Sequence, residues 1–264
     1  GSSASVMKGV RAKKQLGQHF LKDDSIALRI TEALTHHNGY RDVIEIGPGT
    51  GALTKHLITR NDIDLWCIEL DHEAAAHLPT ILPKLGNRLI IGDFLHLDLN
   101  ACFPNKFAII GNFPYNISTE IIFKALEHRD RCMEVVGMFQ KEVADRVRAE
   151  PGSKIYGITS VLAQAFYDID EIKTVGPEQF IPPPKVQSAV IRMQRNTVDQ
   201  LPCDEKLFTR VVKTAFNQRR KTLSNALKPI PELKDSIPEK FQMLRAERLS
   251  VDDFIELTLA CKSA

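Results

Sequence analysis

Residues 45–54 read "EIGPGTGALT" and close the short apolar run "RDVI" (41–44). A strand that runs into glycines and then into a helix-forming stretch marks the first turn of a β–α–β unit. Gly47, Gly49 and Ala52 satisfy G-x-G-x-x-G/A, in which the glycines permit a tight turn and let a ligand approach the backbone. A strand-to-helix turn without any ligand satisfies the same pattern, so the surroundings must decide. They repeat the alternation. The spacing predicts a helix over "TGALTKHLITR" (50–60), a strand over "DIDLWCIEL" (62–70) and a helix over "DHEAAAHL" (71–78). Strands "RLIIGD" (88–93) and "KFAIIGN" (106–112), helix "STEIIFKALEH" (118–128) and strand "MEVVGMFQ" (133–140) follow. Several of these strands are apolar on both faces, which points to a mostly parallel α/β sheet covered on both sides. "FYDIDEIKTVG" (166–176) and "VQSAVIRMQ" (186–194) alternate in the manner of a closing antiparallel pair. Upstream, "DDSIALRITEALTHHNG" (23–39) reads as a helix with Asp23 or Asp24 as its N-cap. Beyond residue 197 only helical periods remain, in "EKLFTRVVKTAF", "RKTLSNAL" and "SVDDFIELTLACK". The expected organisation is a tag remnant over 1–7 with Met7 as the native start, an α/β domain over 8–196 and a small all-helical domain over 197–264.

The chain of 264 residues is 43% hydrophobic and 26% charged, the balance of a soluble globular protein with room for one large core or a large and a small one. No apolar run approaches the roughly 20 residues that span a bilayer. Five scattered cysteines without a CxxC pair suit reduced thiols in a cytoplasm, and the histidines lack zinc-ligand spacing, so no metal is expected. Charge is unevenly spread. Residues 1–22 carry +5 and residues 206–231 carry +7, leaving the remainder at −10 within a net +2. Two basic stretches on an acidic body suit a polyanion; a basic tail and a solvated helix face account for them equally.

Three carboxylates help to choose the ligand of the glycine loop. Glu45 precedes it, Glu69 ends the next strand and Asp93 ends the one after, so all three fall at the carboxyl edge of the sheet, where such folds bind ligands. Glu45 would repel the pyrophosphate of a nicotinamide dinucleotide, whereas S-adenosylmethionine brings a sulfonium and an ammonium that acids stabilise. Glu69, 22 residues beyond Gly47, can accept ribose hydroxyls, and Asp93 an exocyclic adenine amine. The acidic series favours S-adenosylmethionine.

"GNFPYNIST" (111–119) ends another strand with an amide and two aromatic rings around a proline. Phe113 is biased to extended geometry by Pro114, which itself offers no N–H to a ladder. A turn carbonyl at Phe113 or Pro114 and the Asn112 side-chain oxygen can then converge on the two hydrogens of one exocyclic amine. Tyr115 offers a face for a stacked base, worth about 1–3 kcal/mol in single-strand binders.

In order along the chain, "KKQLGQHFL", "EIGPGTGALT", "IELD", "GNFPYNIST", "FQKEVADR", "FIPPPKVQSAV" and "FNQRRKTLSNAL" together resemble the ribosomal RNA adenine N6,N6-dimethyltransferase family, most nearly its bacterial small-subunit type. The resemblance runs from about Lys8 to the end. It implies a Rossmann-like methyltransferase fold, a mostly parallel sheet with an antiparallel edge, followed by a helical domain. It further implies dimethylation of two adjacent adenines in a hairpin loop near the 3′ end of small-subunit rRNA, by a monomer acting in the cytoplasm on an assembling subunit. By motif position, His19, Leu21, Gly47, Gly49, Glu69 and Asp93 become cofactor contacts, with Glu45 and Asn112 beside them. Asn112, Phe113, Pro114 and Tyr115 become the catalytic turn. His19 stands where many relatives have Asn, and Phe113 where Leu is common. Phe180, opening "FIPPPKV", is either a second ring against the flipped base or a core aromatic before a rigid turn. Arg219, Arg220 and Lys221, with Lys13 and Lys14 from the other end, become RNA contacts. A catalytically weak assembly factor, a DNA adenine methyltransferase and a nicotinamide oxidoreductase are the rival readings. The intact acids and turn oppose the first, "RRKTLSNAL" the second and Glu45 the third.

Overall fold

The computed structural model describes residues 19–262. In chain order the strands are β1 (Phe20–Leu21), β2 (Asp42–Ile46), β3 (Asp64–Glu69), β4 (Leu89–Ile91), β5 (Phe107–Asn112), β6 (Cys132–Gln140), β7 (Tyr167–Val175), β8 (Phe180–Ile181) and β9 (Ser188–Arg195). Seven of them form one sheet in the order β4-β3-β2-β5-β6-β9-β7. The β2–β3, β3–β4, β2–β5 and β5–β6 pairs are parallel, and β6–β9 is antiparallel. The chain reverses its winding direction at β2, so the carboxyl ends of β2 and β5 flank the switch point where α/β sheets take ligands. The central strands bury nearly every residue, Val43, Ile44, Ile109, Ile110, Val135 and Val136 at 0% exposure. That burial explains why they read as continuous apolar runs.

Backbone geometry at the first turn corrects one expectation. Gly47, Gly49 and Gly51 have φ of +66°, +55° and +85°, a region that costs side-chain-bearing residues energy. A helix cannot begin through them, and it shrinks from the expected 50–60 to Thr54–Leu57. Asp23 does cap the first helix, Asp24–Glu32, its side chain accepting from Ser25 N.

Outside the sheet, β1 and β8 make a two-stranded antiparallel ribbon with Phe20 opposite Ile181 and Leu21 opposite Phe180. Phe180, for which two readings were open, lies in this ribbon. Its ring is 1% exposed and packs in the core with Ile26, Ile30 and Val190. That burial favours the reading of Phe180 as a core aromatic before a rigid turn.

The described residues divide into two compact units, 19–144 with 168–195, and 145–167 with 196–262. The expected boundary at 197 thus misses one segment. Residues 145–167 belong to the helical unit because their helix, Ile158–Gln164, packs on Glu205–Asn217 and Val251–Leu259. Tyr156 Oη also donates to Leu249 O at 2.7 Å. Phe208, Val211, Val212, Phe254 and Leu257 are the core of this unit.

Candidate active site

A cleft opens at the carboxyl ends of β2 and β5. Its lining joins His19, Leu21, Glu45, Gly47, Gly49, Asn112 and Pro114, all residues singled out from the sequence, with Phe20, Pro48, Thr50, Ala52 and Leu53. Three segments remote in sequence meet here because strands β2 and β5 are neighbours and the β1–β8 ribbon passes the same edge.

The acids are held in distinct ways. Glu45 is buried, and its Oε1 accepts from Thr54 Oγ1 at 2.6 Å and Cys67 Sγ at 3.6 Å. Burial pushes its carboxyl up to about 7. Glu69, equally buried, accepts from Gly49 N on Oε1 at 2.8 Å and from Asp71 N on Oε2 at 3.1 Å. Burial raises its proton affinity while those backbone donors oppose the rise. The Glu69 carboxylate thus holds the glycine loop in shape. Asp93, beyond the end of β4, accepts from Leu95 N at 3.0 Å and pairs with His96 Nδ1 at 3.0 Å. It caps its own turn and is not among the residues lining this cleft.

At the turn that ends β5, Asn112 Nδ2 donates to the His19 carbonyl at 2.6 Å. With its amine side spent there, the amide presents Oδ1 as an acceptor. The Pro114 carbonyl accepts from Ile117 N at 3.2 Å, within the turn, and the Phe113 carbonyl is not used in that bond. Tyr115 Oη bonds Ser188 Oγ, and burial raises its phenol. Its ring faces that of His19, centroids 5.1 Å apart and tilted by 32°. His19 Nδ1 in turn donates to Pro182 O at 2.7 Å. One residue of the N-terminal segment therefore touches the amide, the tyrosine and the loop after β8.

The residues fit S-adenosylmethionine by two structural tests. A Cβ built on Gly47 would meet nothing within 4 Å, so the backbone there is open to close approach by a ligand. Glu45, the acid in the cleft lining, suits a cation better than a pyrophosphate once ionised.

Some participants escaped the sequence reading. The Phe20 ring lies over the loop, its Cε1 2.9 Å from where a Gly49 Cβ would stand. Phe20 sits between His19 and Leu21, and a two-residue strand is too short for alternation to declare its faces. Ser188 carries no local signal, since only the β6–β9 register brings it opposite Gln140. Arg219, Arg220 and Lys221 lie in the turn after helix Glu205–Asn217. Arg220 and Lys221 are exposed, whereas Arg219 donates to Tyr156 O at 2.8 Å and pairs with Glu247 at 3.7 Å. Lys13 and Lys14 lie outside the described residues.

A parallel sheet with an antiparallel edge, carrying acids and a glycine loop at its switch point, defines a Rossmann-like methyltransferase that takes S-adenosylmethionine. Sequence comparison narrows the class. Residues 9–257 match the family described as Ribosomal RNA adenine dimethylase, and the chain belongs to that family. It is 54% identical over 252 residues to a Cytophaga hutchinsonii protein named Ribosomal RNA small subunit methyltransferase A, covering 96% of this chain and 98% of that one. A Parabacteroides distasonis protein of the same name is 51% identical, with 96% and 95% covered. Among solved structures, a dimethyladenosine transferase from Plasmodium falciparum superposes with a TM-score of 0.77 at 25% identity, over 91% of this chain and 96% of that one.

Proposed function

We propose that this enzyme transfers methyl groups from S-adenosylmethionine to N6 of two adjacent adenines in the 3′-terminal hairpin loop of small-subunit rRNA. It acts as a cytoplasmic monomer on an assembling subunit. The observation that carries the reading is the orientation of Asn112, whose amine is held by the His19 carbonyl so that Oδ1 remains an acceptor.

Glu45, Gly47 and Gly49 hold the methionine end of the cofactor, Glu69 the ribose and Asp93 the adenine, with His19 and Leu21 closing over it. The bound cofactor supplies an electrophilic methyl on a sulfonium. Asn112 Oδ1 and the Phe113 carbonyl accept the two N6 hydrogens of the target. Of the two turn carbonyls, Phe113's is preferred because Pro114's already accepts from Ile117 N. Two accepted hydrogen bonds favour a pyramidal nitrogen with an available lone pair, and in-line alignment supplies much of the acceleration. The proton leaves after transfer, so no general base is required. Tyr115 stacks on the base, which must leave its own stack to arrive. Arg219, Arg220 and Lys221 of the helical unit, with Lys13 and Lys14, hold phosphates and position without reading sequence.

Labelled methyl transfer to undermethylated small subunits tests this. Wild-type enzyme yields dimethyladenosine, and Asn112→Ala lowers the rate by about 10²-fold, the loss seen when one preorganised polar partner is removed. Equal product from both would remove Asn112 from its role.

A further inference from the structure

Phe113 follows β5 and precedes Pro114, yet its ring is 1% exposed. Room for it comes from two glycines that face one another across the β5–β6 register, Gly111 and Gly137. A Cβ on Gly137 would stand 2.1 Å from Phe113 Cε2 and 2.6 Å from Cδ2, and one on Gly111 would stand 2.8 Å from Cε1. Phe139, on the same face of β6 as Gly137, closes the notch with its ring edge-on at 5.2 Å. Neither glycine has a positive φ, so the backbone does not itself demand glycine at either position. What the missing side chains provide is a seat for one ring.

We propose that Gly137 is a positioning residue for methyl transfer. By leaving bare backbone beneath the Phe113 ring, it sets the height at which Asn112 Oδ1 and the Phe113 carbonyl meet the target nitrogen. The inference rests on the roles given above to those two acceptors. The chain between ring and carbonyl is short and Pro114 restricts its rotation, so lifting the ring shifts the carbonyl. Close-packed neighbours such as Phe139 leave no room for a sideways escape. Gly137 is the cleaner of the two glycines to test, because a Cβ on Gly111 would also lie 2.7 Å from the Ile46 carbonyl.

The experiment compares wild type, Gly137→Ala, Phe113→Leu and the Gly137→Ala/Phe113→Leu double variant. It measures kcat for methyl transfer to undermethylated subunits, cofactor affinity by direct binding, and thermal unfolding. Gly137→Ala is expected to lower kcat about 10- to 100-fold, since a misplacement near 1 Å costs up to about 10²-fold. Cofactor affinity stays within about twofold, because the glycine loop is untouched. Leucine vacates the space taken by the new methyl, so the double variant regains most of the kcat of Phe113→Leu alone. Full kcat in Gly137→Ala, or a folded double variant as slow as the single, overturns the proposal. If Gly137→Ala does not fold, Phe113→Ala empties the same notch without a clash. Loss of kcat at unchanged cofactor affinity then supports the proposal, and full kcat overturns it. Inactive wild-type enzyme would instead refute the function itself.

Discussion

Glu45 is a carboxylic acid at the bottom of a cleft, and its protonation ties the site to stability. Burial lifts it from an ordinary 4.5 to about 7, with Thr54 and Cys67 donating to the same oxygen and Glu69 the neighbouring charge. Between those two pH values the folded chain keeps a proton that the unfolded chain releases. The associated stability is fully present below about 4.5 and is lost as pH rises through about 7, roughly 3 kcal/mol across the window. Glu45→Gln, which cannot titrate, should remove that part of the fall in Tm. A wild-type slope retained in the variant would assign the proton to another group. The residue was legible in the sequence as an acid at the sheet edge, but its charge state depends on burial, which only the packed neighbours determine.

Between elements, coupling runs through side-chain clips. Lys124, on helix Ser118–Glu127 just after the turn at 112–115, donates to the carbonyls of Phe94 and Leu97, and its ammonium stands 4.9 Å from the Phe94 ring. It thereby fastens the short turn capped by Asp93 to the helix that follows Asn112. Lys124→Met removes both bonds while keeping the aliphatic stem, and should destabilise the protein by about 1–3 kcal/mol in urea unfolding. No change in the midpoint would mean that water replaces the clip at no cost. Elements of this size were mostly readable in advance, because parallel strands with two covered faces must be apolar runs and the helices between them must be amphipathic. What could not be read depended on partners remote in sequence. The ring of Phe113 lies inward only because two glycines on adjacent strands are in register. Phe180 is buried beside a strand partner, Leu21, that lies some 160 residues earlier. Residues 145–167 join the helical unit because their partners lie beyond residue 196.

At the scale of the whole chain, the proposed docking role rests on the exposed cations Arg220 and Lys221. Replacing Arg220 and Lys221 together by alanine should flatten the salt dependence of subunit binding by about two units of log–log slope, one for each lost phosphate contact. Cofactor affinity should not change, and an unaltered slope would remove this turn from the docking surface. Arg219 is the poorer probe, since its bonds to Tyr156 and Glu247 also support the helical unit. The ribbon of β1 and β8 carries a consequence for synthesis. Residues 19–21 leave the ribosome early, but their pairing partner at 180–181 is made some 160 residues later. Nascent chains halted before residue 180 can therefore form the glycine loop yet lack the partner that anchors its cover, so cofactor retention should rise in a late step as translation passes that point.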